Sequence, residues 1–542
     1  GIIGVVILAL FMIFYYRLPG LVAVLALSLY TGILLFLIKS EMPLPIALGG
    51  AILVFIAIIY TILKSREDGW EKFVTFILAC FVLFFVTFLL SNPIVLTLAG
   101  IAGVILSIGM AVDANVLIFE RTKEELRAGR PLSSAIDVGF DRAWSSIRDS
   151  NFSSLITCAI LFYFGTSIIQ GFAFNLAAGI LVSMFTAITI TKTLLTAFMK
   201  TKLGDKLWLW GVQKAATEVK HYRIIERTKV WFGISGAVLV VSLVALLFFG
   251  LKLGIDFKGG TLLDLTFEKP INVEEVRKEL KIIQDDLNAG QKAAPAATTS
   301  SGTALESASA PVNFENGHLV TLPDSPNQLL FHLEHMDNET HDELLAHLET
   351  KFGKVTENRF TTIGPVVGET LKKRAVMAVV VAMLAIILYI AFAFRKVPKR
   401  VSPWKFGVCA IVALLHDVLI PVGVFAVMQF EVDALFITAI LTVLGFSVHD
   451  TIVVFDRIRE NLKNQERDHT FAQVADHSMS QTMHRSINTS LTVLITLLSL
   501  LIFGSTSIFN FILVLVIGIV VGTYSSIFIA SPLLVLWQKK SQ

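Results

Sequence analysis

The strongest constraint on this chain is a motif that occurs twice, each time following a long apolar run. Residues 109–121 read GMAVDANVLIFER, and residues 445–457 read GFSVHDTIVVFDR. Each copy places an acid, Asp113 or Asp450, within a predicted membrane helix. A carboxylate at the centre of such a helix costs about 2.5–3.5 kcal/mol even on a mild insertion scale. Two such acids at matching places indicate two related halves and the movement of protons or ions.

Composition identifies the chain as a polytopic membrane protein. Of its 542 residues, 55% are hydrophobic, and the mean hydropathy is +0.73. The formal net charge of +3 gives no support to a nucleic-acid partner. The 3 cysteines lie in apolar runs, so no disulfide framework is predicted. Because the chain starts GIIGVV, without Met or a basic leader, we expect a fragment that lacks its natural N-terminus rather than a signal peptide.

The apolar runs predict about thirteen membrane helices. They are expected near residues 1–16, 21–38, 44–63, 73–90, 94–118, 152–169, 173–199, 229–250, 373–394, 406–428, 434–456, 489–504 and 508–536. Loops rich in Lys and Arg alternate with loops that carry few, and the positive-inside rule assigns the basic loops to the cytoplasm. This topology starts the chain outside the cell membrane, places residues 251–372 outside and leaves the C-terminus in the cytoplasm.

The predicted fold is a polytopic α-helical membrane protein with two parallel, pseudo-symmetric repeats and one small outer domain. Residues 1–200 form the first repeat, and residues 371–542 form the second. Between them we expect a basic cytoplasmic linker at 201–228, a further membrane helix at 229–253 and the outer domain at 254–370. Both repeats run in the same direction, so the axis that relates them is normal to the membrane.

The first repeat is longer than the second. Arg17 and Asp113 are 96 residues apart, whereas Arg395 and Asp450 are 55 apart. One extra helical hairpin near residues 43–90 accounts for the difference. It leaves the topology after it unchanged, because a hairpin crosses the membrane twice. A neutral insertion and a partner-docking surface are the two interpretations of this hairpin.

The outer domain is predicted to be a small α+β unit of the ferredoxin-like type. In chain order we expect a strand at 261–267, a helix at 273–284, strands near 317–322 and 328–334, a helix at 340–352 and a strand near 354–362. This β-α-β-β-α-β order is the ferredoxin-like signature. Residues 289–311 are of low complexity and predict a disordered insert.

The two acids are predicted to carry the chemistry. Ungapped alignment of the motifs sets Asp113 opposite His449 and Asp450 opposite Ala114. The acids are therefore offset by one residue, about 100° around a helix, and need not play equal roles. A desolvated carboxyl near a cation can take up a proton from one side and release it to the other. The alternative is a static buried ion pair that locks two helices together.

A second repeated stretch supplies the candidate cations. The sequences SSIRDSN and TMHRSIN place Arg148 opposite Arg485 and Asn151 opposite Asn488. Both arginines are expected at the start of the helix that follows each motif, within reach of the acids. The two asparagines are expected to bond neighbouring helices or to orient the arginines.

Other polar residues are assigned lesser roles. His416 and Asp417 lie in a predicted helix and indicate a polar network beside the proton route, with direct proton transfer as the alternative. The pairs Glu120–Arg121 and Asp456–Arg457 lie where their helices are expected to leave the membrane, which favours interfacial anchoring. The histidines of the outer domain do not predict a metal site, because an i, i+3 pair on a strand points to opposite faces. No nucleotide-binding loop, nucleophile–base set or metal site is evident, so neither an enzyme nor a cofactor is expected.

Several motifs resemble one family of membrane proteins. GMAVDANVLIFER followed by RAWSSIRDSN resembles the carboxy-terminal membrane part of SecD. LGIDFKGGT, ALLHDVLI, GFSVHDTIVVFDRIREN and RSINTS resemble SecF. Together they cover nearly the whole chain in the expected order, so the chain resembles the fused SecDF family, which assists the bacterial Sec translocase.

The resemblance implies a function in the bacterial cell (inner) membrane. It implies that the proton motive force drives assistance to preprotein translocation and release through the SecYEG channel. The positions that match the proton route of the family are Asp113, Asp450 and Arg485. The implied partners are SecYEG, the preprotein, YajC, a YidC-type insertase and, indirectly, SecA. The proton gradient is the implied energy source, and sodium coupling stays open.

The chain departs from the family pattern in two places. The first helix and the large first periplasmic domain of the family are absent from this sequence, and the hairpin near 43–90 is not part of the usual six-helix half. Two rival functions are a proton-coupled exporter of small molecules or lipids, of the related resistance–nodulation–division type, and a scaffold of the translocon without motor function.

Overall fold

Long helices occupy most of the chain. The computed structural model describes residues 2–39, 96–202, 204, 206–212, 222–269, 271–293, 318–322, 325–333, 336, 338–395, 401–464 and 470–540. The predicted hairpin near 43–90 and most of the predicted insert at 289–311 lie outside these residues. Within the described ranges, 9 helices are long and apolar enough to cross a membrane. The chain is therefore a multi-pass helical membrane protein, as its composition predicts.

One unit spans Gly1–Gly250, Ala378–Phe430 and Leu435–Gln542, and we call it the membrane unit. Its first six described helices are α1 (Ile2–Tyr16), α2 (Leu18–Lys39), α3 (Leu98–Arg127), α4 (Leu132–Phe164), α5 (Ser167–Met199) and α6 (Thr228–Phe249). Helix α5 contains a π-helical turn at Thr186–Ile190. Such turns occur mostly inside longer helices and often near functional sites.

A second, α+β unit spans Leu251–Met377 and Glu431–Ala434. Its elements in chain order are β1 (Lys252–Leu253), β2 (Gly260–Phe267), α7 (Val273–Ala293), β3 (His318–Leu322), β4 (Ser325–Leu333), α8 (Asn338–Phe352), β5 (Val355–Ile363) and β6 (Glu431–Val432). Strands β1 and β6 pair in parallel, and the other four form one sheet in the order β3-β4-β2-β5. Every neighbouring pair in that sheet is antiparallel.

The core of the α+β unit follows from the period of its elements. Alternate residues of β2 are apolar and buried, which is the pattern of a strand with one covered face. The buried core includes Leu263, Leu265, Phe267, Val276, Leu280, Leu344 and Leu348. Helices α7 and α8 thus share one apolar layer with the sheet. One expectation is wrong here: α7 continues to Ala293, so residues 289–293 are helical and do not begin a disordered insert.

The remaining helices lie towards the end of the chain. They are α9 (Pro365–Ala393), α10 (Pro403–Met428), α11 (Ala434–Asn464), α12 (Phe471–Phe503) and α13 (Phe509–Ser525, continuing through Ser531–Lys540). Helix α13 contains a π-helical turn at Ser526–Ala530. The last helix of each repeat therefore carries the same irregularity.

Two helices begin much earlier in the chain than predicted. Helix α4 begins at Leu132 rather than near 152, and α12 begins at Phe471 rather than near 489. Hydropathy detects only the part of a helix that lies in lipid, and the polar turns before it are helical as well. In consequence Arg148 and Arg485 lie in the middle of their helices, not at the start.

The glycine of each motif packs against the other repeat. A Cβ placed on Gly109 of α3 would lie 2.9 Å from Thr496 Oγ1 of α12. A Cβ placed on Gly445 of α11 would lie 3.1 Å from Thr157 Oγ1 of α4. Small residues of this kind let membrane helices approach closely. The two motif helices are therefore embedded between the repeats, which brings their acids to the shared interface.

Candidate functional site

Asp113 contacts the opposite repeat directly. His449 Nε2 of α11 lies 2.8 Å from Asp113 Oδ2 of α3, within hydrogen-bond distance. Both residues are buried, with exposed fractions of 5% for Asp113 and 8% for His449. His449 Nδ1 is also buried and has no hydrogen-bond partner among the described residues. The equivalent positions of the two motifs thus meet as a carboxyl–imidazole pair that can share a proton.

Asp450 is buried like Asp113 but has different partners. It is 4% exposed, and Ser490 Oγ of α12 donates a hydrogen bond to Asp450 Oδ2 across 3.2 Å. Ser490 is in turn hydrogen-bonded to the hydroxyl of Thr523 on α13. The one-residue offset turns this acid by about 100° relative to its counterpart. It therefore belongs to a hydroxyl chain within the second repeat.

Arg485 is the cation beside both acids. Its side chain is buried on α12 and interacts electrostatically with Asp113 and with Asp450. Its Nη2 has no hydrogen-bond partner within the described part of the chain. A buried guanidinium with an unoccupied donor is free to change partners when a neighbouring carboxyl gains or loses a proton.

Arg148 is not placed like Arg485, although the two align in sequence. Arg148 Nε donates to Asp149 Oδ1 across 3.1 Å, in an ion pair between chain neighbours. Arg148 therefore has an acid of its own helix as a partner, whereas Arg485 interacts with the acids of both motifs. In the alignment of the two repeats, Asp149 corresponds to Ser486. Only the first repeat therefore carries an acid next to its arginine.

The two aligned asparagines also differ. Asn488 Nδ2 donates to the Tyr16 hydroxyl across 3.2 Å and joins α12 to α1. Asn151 Nδ2 donates to the Ile147 carbonyl of its own helix across 2.8 Å. Both side chains are buried, at 7% and 5% exposed respectively. These hydrogen bonds are structural bonds within and between helices.

His416 and Asp417 form a network that connects three helices. His416 Nδ1 lies 2.9 Å from Asp417 Oδ1 within α10. Asp417 Oδ2 accepts hydrogen bonds from Ser447 of α11 and Ser525 of α13. Asp417 is 0% exposed, and Ser447 lies one turn before Asp450. A buried carboxylate is therefore held by hydroxyl donors next to the second acid of the repeat pair.

Arg121 and Arg457 do not anchor the helices at the membrane surface. They are only 2% and 6% exposed, whereas an interfacial anchor extends its charge into water. Arg121 lies 3.3 Å from Glu124 and 3.1 Å from Glu460. Arg457 lies 3.0 Å from Glu124 and 2.9 Å from Glu460. The four side chains close a ring of ion pairs between α3 and α11, which we call the charge ring.

Two residues of the following helices brace the charge ring. Arg142 of α4 pairs with Glu460 and Glu125, and Arg457 Nε donates to Gln481 Oε1 of α12 across 2.6 Å. Burial of the Arg142 guanidinium opposes its charge, but the glutamates outweigh this effect and raise the pKa of Arg142 above its usual value. The side chain that contacts the ring is thus a charged arginine on α4 in the first repeat and a neutral glutamine on α12 in the second.

The charge ring was missed in the sequence, although a signal for it was present. Arg121 and Arg457 are 336 residues apart, as are Glu124 and Glu460. This is also the spacing of Gly109 and Gly445. A charged pair that is duplicated together with a buried acid indicates a contact on the axis between the repeats, rather than two independent surface pairs.

Among the described residues of the α+β unit, His341 is paired with acidic side chains. His341 lies 2.9 Å from Glu357 and 3.0 Å from Asp342. In the part of the chain that the structure describes, no group of three or more His, Cys, Asp or Glu side chains is arranged to hold a metal ion.

Three family descriptions match parts of the chain. "Protein export membrane protein SecD/SecF, C-terminal" matches residues 344–540, and "SecD/SecF GG Motif" matches residues 244–271. "MMPL family" matches residues 73–235.

Named relatives and a solved structure extend these matches over the whole chain. The chain is 33% identical to the protein translocase subunit SecDF of Bacillus subtilis (strain 168), over 99% of this chain and 63% of that protein. It is 44% identical to the protein translocase subunit SecF of Thermobaculum terrenum, over 56% of this chain and 90% of that protein. The crystal structure of SecDF from Thermus thermophilus, titled a translocon-associated membrane protein, superposes with a TM-score of 0.73 at 29% identity.

The chain covers only part of the length of some of these relatives. The superposition covers 99% of this chain and 61% of the Thermus chain. The chain therefore spans less than two thirds of the length of the SecDF proteins to which it is similar, and most of the length of SecF. The duplicated acid motif, the glycine motif and the relatives agree: the chain belongs to the SecD/SecF family of protein-export membrane proteins.

Proposed function

We propose that the chain is an accessory subunit of the Sec protein-export machinery that uses the proton motive force to promote translocation and release of preproteins through SecYEG. The observation that carries this proposal is the buried contact between Asp113 of one repeat and His449 of the other. A titratable pair at the interface of two pseudo-symmetric halves couples protonation to their relative position. Membership of the SecD/SecF family supports the same function.

The proposed mechanism rests on the change of charge at the two acids. An ionised Asp113 attracts a protonated His449 and holds α3 against α11. A proton that arrives at Asp113 removes this attraction and also releases Arg485 from one of its carboxyl partners. Asp450, held by Ser490, is the second acceptor. The halves then shift relative to each other until the proton leaves.

The energy available is sufficient for such a shift. A potential of 100 mV supplies about 2.3 kcal/mol for each charge that crosses the membrane. This amount biases a two-state movement of packed helices by roughly fifty-fold, since about 1.4 kcal/mol is a factor of ten. It does not unfold a domain of ordinary stability. We therefore propose a movement of whole repeats as the response.

The finer architecture is part of this proposal. We place about thirteen helices in the membrane, with domains at 1–200, 201–228, 229–253, 254–370 and 371–542. The outer domain at 254–370 is proposed to be ferredoxin-like and to lie on the periplasmic or outer side. Its strand order β3-β4-β2-β5 supports the ferredoxin-like assignment. The C-terminus is proposed to be cytoplasmic, in the bacterial inner or cell membrane.

The proposed partners are the components of the export machinery. They are SecYEG, the preprotein, YajC, a YidC-type insertase and, indirectly, SecA. The Thermus relative is titled translocon-associated, which supports an association of this kind for the present chain. No cofactor, enzymatic activity or nucleic-acid partner is proposed, and protons are proposed as the coupling ion.

Translocation into inverted membrane vesicles tests the proposal. The intact protein is compared with Asp113→Asn, Asp450→Asn and Arg485→Ala, each with and without an imposed proton gradient. We expect the benefit of the gradient to disappear in all three while assembly with the translocon persists. Asp137→Asn is the matched control, because Asp137 is 62% exposed and paired only at the surface with Lys192. If the three variants respond to the gradient like the control, the scaffold function takes the place of the motor function.

The exporter alternative has one observation in its favour. The "MMPL family" description matches residues 73–235, which include the first acid motif. An exporter predicts that small molecules or lipids accumulate in cells that lack the protein, with no delay in preprotein export. The matches at 244–271 and 344–540 favour protein export instead.

A further inference from the structure

We propose that the charge ring, formed by Arg121, Glu124, Arg457 and Glu460, is the gate that closes the proton route on its cytoplasmic side. This inference rests on the proposed function, because it assumes that protons pass by way of Asp113 and Asp450. It adds four residues and a step to that function: the ring must open for a proton to leave the acids towards the cytoplasm.

The pairing of the ring is reciprocal between the repeats. Each arginine binds the glutamate three residues after it and the glutamate of the other repeat, at distances between 2.9 and 3.3 Å. The two arginines are equivalent under the sequence repeat, and so are the two glutamates. A closed cycle of this kind lies on the axis that relates the repeats. It spans the interface through which a proton that crosses between the halves must exit.

The ring lies directly below the acids along the same two helices. Arg121 follows Asp113 by 8 residues, and Arg457 follows Asp450 by 7. At 1.5 Å per residue these separations correspond to about 10–12 Å along the helix axes. The ring and the acids therefore lie on the same two helices, about two turns apart.

Burial differs between the two residue types and gives the ring an inner and an outer side. The arginine side chains are 3% and 7% exposed, whereas the glutamate side chains are 31% and 27% exposed. The guanidinium groups therefore fill the interior, and the carboxylates reach water. Positive charge across the interior repels an excess proton, so the closed ring is a barrier to proton leak.

Arg485 connects the ring to the acids. Its guanidinium interacts electrostatically with Asp113 and also with Glu124, Arg121 and Arg457 of the ring. When an acid is protonated, Arg485 loses a carboxylate partner, and Glu124 remains as a carboxylate with which it interacts. A shift of Arg485 towards Glu124 competes with Arg121 and Arg457 for the same carboxylate. Protonation of the acids thus weakens the cross-repeat pairs and opens the gate.

Proton flux in proteoliposomes tests the gate. The protein is reconstituted without preprotein, a pH-sensitive dye is enclosed, and a pH gradient is imposed. We expect Glu460→Gln and Glu124→Gln to raise the passive proton leak about tenfold, which corresponds to a barrier lowered by about 1.4 kcal/mol. Asp137→Asn, which removes an exposed ion pair in the same unit, is expected to leave the leak unchanged.

Two further variants separate a gate from a structural brace. Glu460→Asp retains the charge and is expected to keep the leak near the level of the unmodified protein. Glu460→Gln combined with Asp450→Asn is expected to abolish the leak, because the leaking proton still has to pass the acid. If the Gln variants fold, as judged by thermal unfolding, but do not leak more than the control, the gate is refuted. Failure of Glu460→Gln to fold leaves Glu124→Gln to decide between these outcomes.

The same experiment distinguishes failure of the gate from failure of the proposed function. If the Gln variants leak and Asp450→Asn does not suppress the leak, the acids are not on the route and the motor function is wrong together with the gate. If Asp450→Asn abolishes gradient-driven translocation while the Gln variants stay tight, the motor function stands and only the gate is refuted.

Discussion

The two repeats of the membrane unit carry the same motif but use its acids differently. Asp113 of the first repeat contacts His449 of the second, whereas Asp450 accepts a hydrogen bond from Ser490 within its own repeat. A shift of one residue in the motif, about 100° around the helix, separates these environments. The two motifs thus correspond in sequence, but their acids are offset by one residue. Asp113 therefore lies at the interface between the repeats, and Asp450 is bonded within the second repeat.

The helix before each motif helix shows a second difference. In the first repeat, the Tyr30 hydroxyl of α2 is hydrogen-bonded to Ser107 of α3 at 2.7 Å. In the second repeat, Asp417 of α10 accepts hydrogen bonds from Ser447 and Ser525. The first repeat thus has a phenol–hydroxyl pair where the second has a carboxyl group beside a histidine. The helix before the motif helix therefore contributes an acid in the second repeat, whereas α2 contains none.

The largest expected contrast is between the two aligned arginines. Arg485→Ala should abolish the response of translocation to a proton gradient, because the cation beside both acids is lost. Arg148→Ala should keep most of that response, since Arg148 pairs with its neighbour Asp149. Translocation into inverted vesicles, with and without the gradient, measures both. An equal loss of the gradient response in the two variants would contradict the different roles of Arg485 and Arg148.

The cross-repeat pair should be strongly coupled in stability. Asp113→Asn or His449→Gln alone should lower the free energy of unfolding by about 3–5 kcal/mol, the usual loss when one partner of a buried charged pair is removed. The double variant should lose less than the sum by about 0.5–3 kcal/mol. Asp113→Asn combined with Ser490→Ala is the control cycle and should be additive. Additivity in both cycles would show that the Asp113–His449 contact is not maintained.

The motif glycines should differ in their tolerance of a methyl group. Gly109→Ala should destabilise the protein by about 1–3 kcal/mol, because its Cβ would lie 2.9 Å from Thr496 Oγ1 and 3.3 Å from the Val493 backbone. Gly445→Ala should be milder, at 3.1 Å from the Thr157 side chain. Gly32→Ala is the control, since no described atom lies within 4 Å of its Cβ position. Thermal unfolding in detergent ranks the three, and the reverse order would contradict this packing.

The smallest expected effect is that of Tyr30→Phe. Loss of the hydrogen bond to Ser107 should cost about 1 kcal/mol of stability. The gradient response should be unchanged, because no group that titrates near neutral pH is removed. A loss of the response in Tyr30→Phe would show that the first repeat also conducts protons through this helix, and the asymmetry drawn above would fail.

The sequence predicted the elements well where one physical signal dominates. Apolar runs located the 9 described helices that are long and apolar enough to cross a membrane, since hydropathy reports directly on contact with lipid. Alternation located β2, and the observed Gly260–Phe267 agrees with the predicted 261–267. The starts of α4 and α12 were predicted too late, because their first turns are polar and hydropathy does not detect them.

The candidate site was predicted in part. The acids and Arg485 were identified from the repeat and the family resemblance, and Arg148 was assigned a supporting role. The pairing of Arg148 with its neighbour Asp149 was not predicted. An alignment of the repeats shows which residues correspond, but it does not show which helices are in contact. The direct contact of Asp113 with His449 could therefore be seen only in the structure. Arg121 and Arg457 were interpreted as anchors because their burial depends on the opposite repeat, which a single helix does not reveal.

Gradient-driven proton flux through the reconstituted protein is the direct test of a proton relay through Asp113 and Asp450. The unmodified protein, Asp113→Asn and Asp450→Asn are placed in sealed vesicles, and the internal pH is followed after a gradient is imposed. We expect each single substitution to abolish the flux, because Asp113 at the interface and Asp450 within the second repeat act in series. Flux that persists at the original rate with either acid replaced would contradict a relay through both repeats.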